Sequence, residues 1–186
     1  MALSNQLFLE QYIPDSPDSF VLEIECPLID AKMGRLEVAQ REVIEEKRRV
    51  AEQSGDNWHD GAFNATDNAA KVITDQAATL FRARNGHLVE TPDAESALVS
   101  LGSVVRVNQN GAEYLMGIVG LALLFQSTDE VEFCSINSPM ALALLRHKAG
   151  DQVVARIGGR EQKIEILAVD QTMLIGIIEQ QLESLA

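Results

Sequence analysis

The chain predicts an α+β protein: an N-terminal antiparallel coiled-coil helical hairpin followed by a small antiparallel β domain with one short helix. Three observations predict it. Residues 28–90 are charge-rich and free of proline, with apolar residues at helical spacing, and are broken at Gly55-Asp56-Asn57-Trp58-His59-Asp60-Gly61. Beyond Pro92 the apolar spacing changes from helical to alternating. Asn110-Gly111 and Gly158-Gly159 each stand between alternating runs, as hairpin turns do, because both positions of such a turn need positive φ.

Taken in order, residues 1–27 form an N-terminal extension with two apolar scraps, Leu7-Phe8-Leu9 and Phe20-Val21-Leu22, around the turn-rich 14–19; a short helix before Pro14 is one option. In 28–90 the first arm spaces Ile29, Leu36, Val43 and Val50 seven residues apart, with Met33 and Ala39 between them, as a coiled-coil seam requires. The second arm repeats the period in Phe63, Ala70 and Ala77 and in Thr66, Ile73 and Leu80; its small residues let two helices approach closely. Arms of about 25 residues at roughly 1.5 Å per residue make a rod of about 38 Å with its tip at 55–61. Such a rod suits reach. Thr91-Pro92-Asp93 stops the second arm, and a domain boundary is placed near 90–98. Residues 99–170 form the β domain, with strands at 104–107 and 114–118, a strand through Val131 and Phe133, and strands at 153–157 and 162–167. Ser138-Pro139 reads as N-cap and first residue of its short helix. The tail, 171–186, spaces Leu174, Ile178, Leu182 and Leu185 for a last helix.

Composition narrows the function. Hydrophobic residues make up 46% of the chain, enough for a core, while the formal net charge of −13 argues against independent binding to bare nucleic acid, which needs a basic surface to release counterions. Cys26 and Cys134 lie far apart with no CxxC pair, which suits reduced, packed thiols and a cytoplasmic protein. The longest apolar run, Gly117 to Phe125, is about half a membrane span, and no basic n-region precedes an apolar stretch, so neither membrane nor standard export is expected. His59, His87 and His147 have no zinc-site spacing, no P-loop or GxGxxG occurs, and no nucleophile elbow is found.

At this point a resemblance can be stated on particular residues. Gly102-Ser103-Val104-Val105, Gly117-Ile118-Val119-Gly120, Ser138-Pro139-Met140-Ala141-Leu142-Ala143-Leu144-Leu145 and Gly150-Asp151-Gln152-Val153-Val154, downstream of a helical hairpin with Gly55-Asp56 at its turn, resemble the GreA/GreB family of bacterial transcript-cleavage factors over roughly residues 28–169. The resemblance implies an FKBP-like C-terminal domain that holds the rim of the RNA polymerase secondary channel. It implies also that the coiled coil enters the channel and that acidic tip residues stimulate hydrolysis of backtracked RNA. The factor would be an accessory and not itself the enzyme. It would lend a carboxylate ligand to an Mg²⁺ shared with the polymerase active site and meet nucleic acid only within that complex; a monomer is expected. Prolyl isomerase activity is not expected, since fold does not carry function.

The tip departs from the family pattern Gly-Asp-x-x-Glu-Asn: Asp56 matches the first acid, and His59 stands where Glu is expected. Asp60, four residues after Asp56, falls on nearly the same face of a helix beginning there and can serve as the substitute. The plain alternative for Asp56 is a turn or N-cap residue, and for His59 a solvated turn histidine. Trp58 either packs back on the hairpin or meets a partner. Arg41, Lys47, Arg48 and Arg49 form either a solvated helix face or a surface for partner or RNA. Two readings follow: a cleavage-stimulating elongation factor with Asp56, Asp60 and His59 at its working end, and a non-cleaving secondary-channel regulator or inhibitor, or coiled-coil adaptor, on the same scaffold.

Overall fold

The computed structural model describes residues 2–11, 20–53, 61–121, 125 and 130–185. Its elements are α1 (Asn5–Gln11), β1 (Phe20–Leu22), a single 3-10 turn (Glu23–Glu25), α2 (Cys26–Gln53), α3 (Gly61–Arg84), β2 (His87–Val89), β3 (Val104–Gln109), β4 (Ala112–Val119), β5 (Val131–Ser135), α4 (Pro139–Leu144), β6 (Gln152–Ile157), β7 (Arg160–Asp170) and α5 (Met173–Leu185). Helix and sheet are therefore mixed. No helix among the described residues is long and apolar enough to cross a membrane.

The long helices α2 and α3 pack on each other along the heptad positions. Ile29, Val50, Leu80 and Ala83 are buried, while Met33, Leu36, Ala39, Val43, Thr66, Ala70, Ile73 and Ala77 are half-buried. Half-burial is what a two-helix pair allows, because each seam has one partner and solvent on both flanks. The second helix ends at Arg84, short of the expected proline stop. Asn85-Gly86 turns the chain, and 87–89 becomes a strand.

That strand explains the N-terminal extension, which is docked rather than appended. β1 pairs with β2 in parallel, Phe20 with His87 through Leu22 with Val89, and Leu3 joins the same edge through Leu3 N–H to Leu88 O at 2.7 Å. Phe8 is fully buried and meets Phe20 edge-on at 5.2 Å, and Phe20 stacks on His87 at 5.4 Å. The two apolar scraps are thus part of the main core, which also takes in the base of the helices and the inner face of the sheet.

The five-stranded sheet has the order β5-β4-β3-β7-β6. The two short hairpins form where the turn residues place them: Asn110 and Gly111 have φ of 55° and 87°, and Gly158 and Gly159 have 58° and 79°. The expectation of a purely antiparallel sheet needs correction at one edge, because β5 runs parallel to β4 from Leu115↔Val131 to Val119↔Ser135. The physical reason is the connection. A tight turn would force the chain back antiparallel, whereas the long 120–130 segment returns it to the starting end. Ser138 caps α4, its Oγ accepting Ala141 N–H at 3.1 Å, and Met140, Ala141 and Leu144 are buried on the side that packs against β6.

One buried carboxyl joins the base of the helices to the sheet. Glu25 is fully buried; its Oε2 accepts Leu22 N–H at 2.9 Å and its Oε1 accepts Gly120 N–H at 3.2 Å. Burial raises its pKa to about 7, outweighing the two backbone N–H groups that pull it down. A Cβ on Gly120 would lie 2.3 Å from Phe20 O and 3.0 Å from Glu25 Oε2, so the sheet approaches β1 as closely as a backbone can. The linker between helices and sheet is held by a buried polar knot. Ser103 Oγ donates to Gln171 Oε1 at 2.7 Å, and Gln171 Nε2 donates to Leu98 O and Ser96 O at 2.8 and 3.1 Å.

Two outcomes follow from this junction. With a folded pKa near 7 and an unfolded value near 4.5, Glu25 contributes stability that is full below about pH 4.5 and is lost as pH rises through 7. The loss is on the order of 3 kcal/mol. Asp170, whose pKa is lowered by the backbone N–H of Thr172 despite some burial, works in the opposite sense and only in more acidic solution. Urea midpoints measured from pH 5 to 8 should therefore fall with pH in the parent and lie flat in Glu25→Gln; an equal slope in both would remove Glu25 as the cause. Gly120→Ala should destabilise the fold by roughly 3 kcal/mol at any pH in the same titrations, because the new methyl meets backbone rather than a movable side chain.

Candidate functional site

The candidate site at the tip is flanked by the helices α2 and α3. Arg84 Nε donates to Asp30 Oδ1 at 2.8 Å near the base, and Lys47 is paired with Asp67 nearer the far end. Both pairs are symmetric about position 57, so the helices run antiparallel in a constant register from base to tip. These pairs are largely exposed and hold register more than they add stability. At about 1.5 Å per residue, the described part of α2 carries the chain roughly 40 Å.

The tip sequence itself, residues 54–60 with Asp56, Trp58, His59 and Asp60, lies outside the described residues. What is described is its setting: Gln53 ends one helix and Gly61 begins the other. Gln53 and Gly61, the described helix ends that flank it, lie at the opposite end of α2 and α3 from the β1–β2 pair.

The basic residues of the first arm are engaged on the rod. Arg48 pairs with Glu52 at 3.2 Å, Arg49 reaches both carboxylate oxygens of Glu46 at 2.8 and 2.7 Å, and Arg41 Nε donates to Glu37 O at 3.4 Å. With Lys47 on Asp67, this is the pattern of a solvated, self-paired helix face. The charge count agrees. Residues 26–84 hold nine basic and ten acidic side chains, leaving a net charge of −12 on the rest of the chain. The rod is nearly neutral; residues 99–170 of the sheet domain hold eight acidic and six basic side chains, so most of the remaining negative charge lies in the N-terminal segment, the linker and the tail.

Among the described residues no three His, Cys, Asp or Glu side chains converge in a way that would hold a metal. Neither cysteine is disulfide-bonded, and burial raises the pKa of both thiols, that of Cys134 to about 11, so neither is a ready nucleophile. The groove of about 410 Å³ over β3, β7 and β6 is lined by Asn108, Asn110, Gln152, Val154, Lys163 and Glu165 with Val153 and Ile164; it has no aromatic wall. Two residues with positional roles escaped the sequence reading. Glu25 carried a signal, as an acid inside the apolar stretch 20–29, whereas Arg35, which reaches the end of α5, looks like any surface arginine.

Comparison with known proteins identifies the surroundings of this rod. Residues 94–171 match the model of the C-terminal domain of the transcription elongation factors GreA and GreB. Transcription elongation factor GreA of Bacillus cytotoxicus is 27% identical over 145 residues, covering 76% of this chain and 89% of that protein. GreA of Shouchella clausii is 28% identical over 145 residues with the same coverage. Among solved structures, the GreA factor homolog 1 protein of Thermus thermophilus is 18% identical, with 82% of this chain and 98% of that chain covered at a TM-score of 0.37. Residues 94–171 are thus similar to the C-terminal domain of the GreA/GreB factors, and GreA relatives align over three quarters of the chain.

Proposed function

We propose that this protein is an accessory factor of RNA polymerase whose sheet domain, FKBP-like in fold, docks at the rim of the secondary channel while α2 and α3, as a coiled coil, carry the tip to the active site. The observation that carries this reading is the in-register helical rod, held at its base by the sheet and ending in an acidic sequence. Its surface suits enclosure by protein: nearly neutral overall, with Val38, Ile44, Val72 and Phe81 exposed on the outside. The net charge of −12 outside the rod suits a basic partner.

At the tip, Asp56 and Asp60 are the residues that would supply oxygen ligands to an Mg²⁺ shared with the polymerase. Two carboxylates are the donors such a hard cation prefers, and they are too few to hold it without the partner's ligands. A bound Mg²⁺ there stabilises developing negative charge and makes an attacking water more acidic. His59 contributes no oxygen, and its imidazole is a poor match for Mg²⁺. Its presence where the family carries Glu favours a second reading, in which the protein occupies the channel and regulates transcription without stimulating cleavage.

Backtracked polymerase with labelled RNA separates the two. Under the first reading, Asp56→Asn lowers stimulated cleavage by at least about tenfold and leaves polymerase affinity within about twofold, since the amide keeps size and capping ability but loses the charge. Undiminished cleavage by that variant would remove Asp56 from the chemistry. His59→Glu should raise cleavage, most at low Mg²⁺ where occupancy limits the rate, and Asp60→Asn should hurt the parent more than it hurts the His59→Glu variant. A rate lowered by His59→Glu at neutral pH would instead make His59 a general base. Tight binding with no cleavage from parent or His59→Glu would establish the regulator.

A further inference from the structure

The helix α5 begins just past residue 171, where the family's domain match ends. At its N-terminus it is tied to the sheet: Asp170, the last residue of β7, accepts Thr172 N–H at 2.8 Å, Met173 N–H at 2.9 Å and Thr172 Oγ1–H at 3.0 Å through Oδ1. At its C-terminus it is tied to the rod. Arg35 of α2 donates from Nη2 to Leu185 O at 3.0 Å and to Ser184 O at 3.3 Å, the carbonyls that a helix end leaves without partners and where a cation meets the negative pole of the dipole. Between the two ties Leu174 and Ile178 are buried, with Ile177, Leu182 and Leu185 half-buried against the same core, and the helix lies along α2 and the 3-10 turn.

We propose that α5 is a strut that fixes the angle between the helical rod and the sheet. The other attachments of the rod, the β1–β2 pair and the Glu25 hydrogen bonds to Leu22 and Gly120, all lie at its base, where they resist bending with little leverage. Arg35 takes hold nine residues into α2, about 14 Å along the axis at 1.5 Å per residue, and a brace applied there resists rotation far better than one at the pivot. The gain is large at the other end. A swing of about 10° moves the tip of a 40 Å rod by roughly 7 Å, several times the tolerance of any coordinated or hydrogen-bonded contact. Each end of α5 is capped by a side chain from a different body, which is the arrangement a strut needs and a helix filling one core does not. This inference holds whatever the rod meets, so its test needs no polymerase.

The experiment uses the full chain with Cys26→Ser and Cys134→Ala, spin-labelled at Glu45→Cys on α2 and Arg160→Cys at the β6–β7 turn. Distance distributions between the labels are recorded beside amide exchange. The parent should give one narrow distribution. Ile178→Asp, which puts a carboxylate into the buried face of α5, should speed exchange of α5 amides at least tenfold, leave β3 and β7 amides protected and at least double the width of the distribution. Arg35→Ala should broaden it less and speed exchange only over 182–185. A distribution as narrow as the parent's once α5 amides exchange freely would overturn the proposal. So would loss of protection in β3 and β7, since α5 would then belong to the sheet's own core; an Arg35→Ala protein identical to the parent in both measurements would remove the tie that makes α5 a strut.

Discussion

A two-helix rod cannot keep its own apolar seam dry, and that constraint governs the architecture. Along α2 and α3 the inward residues remain half-buried through most of their length; Val50 is buried toward the far end, and Ile29, Leu80 and Ala83 are buried at the base, where other elements close over them. Stability is therefore collected at the base. Phe8, Phe20, Val21, Leu22 and Leu28 fill the same core as Val104, Val105 and Ile118 of the sheet, so helices and sheet are stabilised together. The projecting part of the rod is an extension of that core, kept straight by heptad packing and by two cross-helix ion pairs.

Burial and charge divide along the same line. The apolar junction accepts one carboxyl, Glu25, whose burial raises its affinity for a proton by more than its two backbone N–H partners lower it. On the rod the opposite rule operates: charges are many, exposed and matched within a turn or across to the neighbouring helix. A shaft that neutralises itself presents shape more than charge, leaving the net −12 of the remaining chain to set long-range attraction.

Much of this was legible from the residues alone. The heptad spacing of Ile29, Leu36, Val43 and Val50, the Asn110-Gly111 and Gly158-Gly159 turns and the Ser138-Pro139 helix start are local signals, each produced by neighbours in sequence, and each appears in the fold. The parallel β4–β5 edge, the docking of 3–22 and the reach of Arg35 to α5 are long-range. Their causes lie in a connection length, in a strand partner some 67 residues away and in the position of another helix's end, none of which a local pattern encodes. The tip chemistry read from Asp56, His59 and Asp60 falls on residues 54–60, outside the described residues, and remains part of the proposal.

The parallel pairing of β1 with β2 has a consequence for how the chain is made. Phe20 finds its place beside His87, and Leu3 beside Val89, only after the whole helical hairpin has been synthesised. At about 5–20 residues per second, that leaves roughly 3–13 seconds during which the apolar N-terminal segment has emerged and its partner strand has not. Within that interval Phe8, Phe20, Val21 and Leu22, buried in the folded protein, lack the partner strand that covers them. The β1–β2 pair can form once residues 87–89 arrive, and the shared core closes only when Val104, Val105 and Ile118 of the sheet follow.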